Sequence, residues 1–278
     1  RVWGYSPKPN KEYKRFEGDL VTINDVGLRS TKSWKNETKL KLLFLGDSVL
    51  YGGSNINDDQ LFSLLSCNDI PEWSCFNGGV NAFGILNMVA RSRFDKRIKD
   101  ADAVVFVFSW ADFLRGLQQG STAHFILTEP PSFFPATWEA FNYVASLYAP
   151  LLQLGKQVEV SEINEDLNDP LLAATLAYDN LKAEVERLNS LGKKVFIISA
   201  PTVHEIKGER PSWIDTIENQ LKSELGSYYQ SILSKELIDA FEKNNNIFYD
   251  SVHLEEEGHV VYGKIINKIL LDKMKLSK

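Results

Sequence analysis

The chain has 278 residues, 44% hydrophobic and 24% charged, a composition that excludes a disordered or fibrous protein and suits a soluble globular one. The net charge of −6 leaves no general basic surface for a phosphate backbone, so nucleic acid is not an expected partner. No stretch reaches the roughly 18–20 apolar residues that span a bilayer; the longest candidate, Phe141 to Leu154, is short and is broken by Pro150.

The sequence starts at Arg1 with no initiator methionine and no signal segment, and reads as a mature protein or a piece of a longer one. Residues 1–40 are polar, carry Pro7, Pro9 and Gly18, and lack a sustained period; they predict an arm with little regular structure packed on the main domain, which occupies 41–278. Lys41–Leu45 is a short apolar run stopped by Gly46, as expected of a strand buried on both faces. Cys67 and Cys75 follow in a loop-like stretch. They either close a small disulfide ring in an exported protein or stay as two buried thiols. Trp73–Asn77 is a weaker second strand, and Ala103–Phe108, rich in β-branched and aromatic residues, a strong third.

Residues 113–170 break the pattern. Phe125, Phe133, Phe134, Trp138, Phe141, Tyr143 and Tyr148, interleaved with prolines, read as an inserted lid or subdomain whose aromatic residues mostly pack it onto the core. Leu171, Ala174, Ala177, Tyr178, Leu181, Val185 and Leu188 then fall on one helical face, closed by Gly192. Lys194–Ser199 predicts a fourth strand, Asn246–Tyr249 a short fifth, and Val261, Ile265, Ile266, Ile269 and Leu270 a final helix. Strands alternating with helices predict a three-layer α/β/α domain around a mostly parallel, flavodoxin-like sheet, with ligands at the carboxyl ends of the strands.

Gly46-Asp47-Ser48 follows directly on the first of these strands. A serine on such a strand-to-helix turn can present its hydroxyl to a cleft, and the N–H groups of the turn can receive an oxyanion. The same tripeptide is equally readable as a helix cap. Near the other end, Tyr249-Asp250-Ser251-Val252-His253-Leu254 follows the last predicted strand. Here Asp250 can hold the His253 imidazole in one tautomer while that imidazole takes a proton from Ser48; taken singly, this segment too reads as a helix cap. Both segments sit at carboxyl ends of strands that a doubly wound sheet brings to one edge, which favours the catalytic reading.

Together these segments resemble the SGNH, or GDSL-type, hydrolases. Leu42 to Ser48 is similar to their first sequence block, and Asp250-x-x-His253-Leu254, continued by Glu257-Gly258-His259, to their last. Asn77 to Gly84 resembles the second block and Phe108-Ser109-Trp110-Ala111-Asp112 the third. Ile23 to Arg29 is weakly similar to a segment that precedes the first block in exported bacterial members. The likeness covers about residues 41–112 and 171–278. It implies the SGNH hydrolase fold and a Ser48–His253–Asp250 triad, with backbone N–H groups of Ser48 and Ala82 forming the oxyanion hole. In other registers Gly79 or Gly84 takes the place of Ala82. The third block of the family carries an asparagine donor where this chain has Ala111; losing one such donor typically costs about 10²–10³ in rate, with Asn81 as a candidate substitute. Asp47, Trp110, Asp112 and His204 are candidate pocket residues. His259, on the final helix, is expected to be a surface or partly packed residue, and His124, in the insertion, is no better placed than His204 to touch substrate.

The resemblance implies an enzyme that needs neither metal nor organic cofactor: a serine esterase or O-acyltransferase working on ester-linked acyl groups, acetyl foremost, of carbohydrate. The expected setting is a bacterial cell envelope, outside the cytoplasm. A transferase would also need an acyl donor, for which a membrane-bound partner protein is the expectation. The rival readings are a catalytically silent carbohydrate-binding domain, favoured by Ala111, and a lipid or thioester hydrolase.

Overall fold

The structure is a computed structural model that describes residues 3–14, 20–53, 56–116 and 169–275. The expected insertion, His124 included, lies outside the described residues except at its two ends.

The elements run in chain order. The hairpin β1 (Lys11–Lys14) and β2 (Leu20–Ile23) is followed by β3 (Leu40–Gly46), α1 (Ser48–Tyr51), α2 (Phe62–Leu65), β4 (Trp73–Gly79), α3 (Ile85–Phe94) and β5 (Ala103–Phe108). Beyond the insertion come α4 (Pro170–Ser190), β6 (Lys194–Ser199), α5 (Val203–Ile206), α6 (Ser212–Glu224), β7 (Tyr229–Ser231), α7 (Lys235–Lys243) and α8 (Glu256–Lys275). The main sheet has the order β4-β3-β5-β6-β7 and is parallel throughout. Its strand order reverses beside β3, and sheets of this kind bind ligands at the carboxyl edge where the order reverses.

Alternation along the strands builds the layers. Leu43 and Leu45 face a core made with α3, α4, α6 and the arm residues Val26, Leu28 and Trp34. Leu42 and Phe44 face the opposite core, with α1, α2, α7 and α8. The chain is thus a three-layer α/β/α protein, as its pattern predicts. The α4 helix begins on an Asp169 cap that accepts from the Leu171 N–H at 2.9 Å, with Pro170 in its first turn.

Two expectations need correction. The fifth strand is β7, whereas Asn246–Tyr249 forms a 3-10 turn (Asn245–Ile247) and one bridge between Phe248 and Leu254. A three-residue edge strand reading Tyr-Gln-Ser carries too little apolar pattern to announce itself. The arm is also far from irregular. Its hairpin bridges through Arg29 to Asn77 of β4, and Val21, Ile23, Val26, Leu28 and Trp34 are fully buried. Asn24 accepts from the N–H groups of Val26 and Leu28, folding the Ile23–Arg29 segment into a turn. The two cysteines form a disulfide, Cys67–Cys75, with Cα atoms 5.9 Å apart.

Candidate active site

β3 ends at Gly46, and the chain turns at once into α1. Asp47 caps that helix, its carboxylate accepting from the Val49 N–H at 2.9 Å, and Ser48 is the first helical residue, half-exposed at the sheet edge. Helix α1 is held close to the next strand. A Cβ on Gly79 would run into the backbone of Tyr51, so glycine is needed for this approach. The buried Asn77 side chain bonds the Leu50 carbonyl at 2.6 Å and the Ser63 hydroxyl at 3.0 Å, tying β4 to α1 and α2.

The second turn leaves β4 one rung from the first. Gly46 and Gly79 are paired in the ladder, and the Val80 N–H donates to the Gly46 carbonyl at 3.0 Å. The turn closes with the Phe83 N–H donating to the Val80 carbonyl at 3.1 Å. Ala82 stands in the left-handed region at φ +62°, a conformation usually left to glycine, at a cost of roughly 1–2 kcal/mol for other residues. Among the described residues, the N–H groups of Ser48 and Ala82 have no hydrogen-bond partner. The alternatives are already engaged: Gly79 donates to Asn77 Oδ1 at 2.8 Å and Gly84 to Asn87 Oδ1 at 3.3 Å. Asn81 is exposed, and its carbonyl accepts from the Tyr5 hydroxyl of the arm.

The third piece comes from the loop before α8. One oxygen of Asp250 accepts from the N–H groups of Val252 and His253, both at 2.7 Å, which curls the loop back on itself. The other lies 2.7 Å from His253 Nδ1, and His253 Nε2 lies 2.9 Å from Ser48 Oγ, 205 residues away in the chain. Desolvation pushes the Asp250 carboxyl up. Hydrogen bonds from the His253 backbone and ring and from Val252 outweigh it and hold the group below the ordinary carboxylate range. A hydroxyl, an imidazole and an ionised carboxylate thus stand in hydrogen-bonding sequence. Such an arrangement can activate an oxygen nucleophile.

No family model and no curated protein matches the sequence. Solved structures do match its shape. An acetyl xylan esterase, AlAXEase, superposes with a TM-score of 0.51 at 16% identity, over 83% of this chain and 100% of the other. TesA superposes with a TM-score of 0.51 at 11% identity, over 84% and 99%. A member of the lipolytic protein G-D-S-L family from Veillonella parvula gives 0.48 at 12% identity, over 84% and 98%. The chain has the SGNH hydrolase fold.

Within that fold, the remaining candidates have partners of their own. Trp110 is buried, packed on Phe108 and Phe113 in the core. Asp47 and Asp112 are also buried and act on their neighbours: Asp47 caps α1, and Asp112 accepts from the Ser109 N–H at 2.9 Å. Burial first, and then the charge of Asp47, push the Asp112 carboxyl well above the usual range, against the pull of Arg115 and Ser109. His204 is 63% exposed and pairs with Glu209 at 2.8 Å. Among the described residues, no cluster of three His, Cys, Asp or Glu side chains is gathered to hold a metal ion.

Three residues around this site escaped sequence reasoning. His259 is fully buried rather than a surface residue. Its Nδ1 accepts from the Phe62 N–H at 3.2 Å, its ring stacks on Phe62, and Nε2 has no partner among the described residues. Burial, helped by the nearby charge of Arg29, lowers its pKa to about 3. Arg29 reaches out of the arm to Asp58 at 2.9 Å and to the carbonyls of Tyr51 at 2.7 Å and Gly53 at 2.8 Å, and it also bonds the Ile56 carbonyl. It thereby holds the segment that follows α1. Arg115 stands at the start of the insertion and reaches back to Asp47.

Proposed function

We propose that the protein is a serine esterase that cleaves acyl esters, with Ser48 as nucleophile, His253 as general base and Asp250 as the residue that orients that base. The observation that carries this reading is the pair of contacts Ser48 Oγ to His253 Nε2, 2.9 Å, and His253 Nδ1 to Asp250, 2.7 Å. In the first step the Ser48 oxygen bonds the ester carbonyl carbon as its proton passes to His253 Nε2. The backbone N–H groups of Ser48 and Ala82 receive the charge that develops on the carbonyl oxygen. His253, held as an imidazolium beside the Asp250 carboxylate, returns the proton to the departing alcohol. An acyl-serine is left. Water, or an acceptor hydroxyl in a transferase, then reverses the sequence and frees Ser48.

For the substrate we propose an acyl group, acetyl foremost, on carbohydrate. This extends the reading from the shared fold, since AlAXEase is named an acetyl xylan esterase. For the setting we propose the outside of the cytoplasm, because the Cys67–Cys75 disulfide is at home in oxidising compartments. Among the described residues no helix is long and apolar enough to cross a membrane.

Ala111 favours a second reading, a binding domain without turnover, because the asparagine that supplies an oxyanion donor in the resembled family is missing. Hydrolysis of p-nitrophenyl acetate by the wild-type chain and by Ser48→Ala separates the two. Turnover that vanishes in Ser48→Ala, with fluorophosphonate labelling of Ser48, supports the esterase. No turnover and no labelling leave the binding domain. Acetate release from acetylated polysaccharides, with and without an acceptor sugar, then distinguishes hydrolase from transferase.

A further inference from the structure

Arg115 joins the ends of three adjacent strands. Its Nη1 donates to Asp112 Oδ1 at 2.7 Å, to the Phe83 carbonyl at 3.1 Å and to Asp47 Oδ2 at 3.3 Å. Asp47 immediately precedes Ser48 at the end of β3. Phe83 immediately follows Ala82 beyond β4, and Asp112 belongs to the 3-10 turn Trp110–Phe113 that follows β5. The approach is close: a Cβ on Gly84 would meet the Cβ of Arg115 at 2.7 Å and the Asp112 carbonyl at 2.8 Å. This is no ordinary surface ion pair, because the Asp47 and Asp112 side chains are only 1% and 0% exposed, while that of Arg115 is 32% exposed. One guanidinium therefore serves two buried carboxyl groups and a turn carbonyl.

The turn that Arg115 holds is also the one under strain. A non-glycine residue in the left-handed region persists where its surroundings over-determine it, and Ala82 is such a residue. The restraints on that turn are the Phe83 N–H to Val80 bond, the Tyr5 hydroxyl on Asn81, and Arg115 on the Phe83 carbonyl. Ala111 brings no donor of its own, so two backbone N–H groups have to be well placed. We infer that Arg115 is the positioning residue of the oxyanion hole, locking the turn that carries Ser48 to the turn that carries Ala82. This rests on the ester-cleaving reading above. Its action is through the Phe83 carbonyl and the Asp47 carboxylate, without contact with the reacting atoms. All three bonds leave the single Nη1 atom, so a lysine would keep the charge and a comparable donor but on a differently shaped stem that places it less well.

The test uses the full chain with Arg115→Met and Arg115→Lys, read by p-nitrophenyl acetate kinetics and by amide hydrogen exchange of residues 80–84. For Arg115→Met, kcat falls about 10²-fold, the scale of a misplaced catalytic geometry, while KM stays within about threefold. Arg115→Lys recovers part of the loss, and exchange at 80–84 quickens in the Met variant and less in the Lys variant. A raised KM at wild-type kcat makes Arg115 a substrate contact and overturns the inference. Unchanged exchange at 80–84 in Arg115→Met overturns it whether or not the wild-type chain turns over ester. A silent wild type whose 80–84 amides still respond sinks the esterase reading and keeps the lock. If Arg115→Met does not fold, as thermal melting would reveal, Arg115→Lys decides: a lower kcat with quicker exchange at 80–84 supports the lock, and wild-type values for both kcat and exchange overturn it.

Discussion

The Asp250 carboxylate orients His253 through both of its oxygens, one 2.7 Å from the ring Nδ1 and the other 2.7 Å from the backbone N–H. The side chain that selects the tautomer also shapes the loop. Replacing Asp250 by Asn keeps acceptor capacity for the loop but sets an amide N–H₂ or a neutral carbonyl against Nδ1. The expected result is a folded protein whose kcat falls by up to about 10⁴-fold, the size seen when a triad carboxylate becomes an amide. Melting temperature and kcat measured side by side check this. Near-normal turnover in Asp250→Asn would remove Asp250 from the proposed mechanism.

The pH dependence of the reaction follows from the same contact. Asp250 is held below the ordinary carboxylate range, so it stays ionised across the acid side of the profile. An imidazolium cannot accept the Ser48 proton, so the proposed mechanism loses activity toward acid pH. The logarithm of kcat/KM should therefore decline with a slope of one. Steepening to a slope of two near pH 4, about where an unperturbed aspartate titrates, would show a second carboxylate entering the profile and contradict the assignment.

The arm is a structural partner of the site. Arg29 and Asp58 pair with side chains 0% and 5% exposed, and Arg29 also bonds the Tyr51 carbonyl at the end of α1. Arg29→Met leaves a buried carboxylate without its counter-charge, a change that costs about 3–5 kcal/mol. Urea unfolding should register that loss in the midpoint. A midpoint within error of wild type would mean that the segment after α1 is held by its other contacts alone.

Acid stability should depend on His259. Its folded pKa is lowered to about 3 from the ordinary imidazole value of 6.5, so below pH 6.5 the unfolded chain takes up a proton that the folded chain refuses. Stability from this group is fully present above pH 6.5 and is lost progressively as pH falls toward about 3. Melting curves between these limits for wild type and His259→Gln should show a weaker pH dependence in the variant. Parallel curves would place the acid sensitivity elsewhere.

The sequence was legible where one physical rule acts alone. The strands β5 and β6 lie wholly within the apolar runs that announce them, because central parallel strands are buried on both faces. The Ser48 segment stands where a strand end was expected, whereas the Asp250–His253 segment follows a 3-10 turn and was picked out by its residue types alone. The supporting contacts were not legible. Arg115 meets Asp47 across 68 residues, and Arg29 meets Asp58 across 29, and no spacing rule encodes such pairs. His259 was misplaced for a different reason. Two exposed glutamates precede it, yet its spacing from the buried Tyr262 and Ile266 places it on the inner face of α8, and that signal was available.

The rung that pairs Gly46 with Gly79 has an implication for divergence. When an anion is met by main-chain groups whose spacing is set by a parallel ladder, few residue identities around it have to be kept. The amino-acid text is then free to drift while the shape stays recognisable. What such drift has to preserve is the handedness at position 82 and some means of enforcing it.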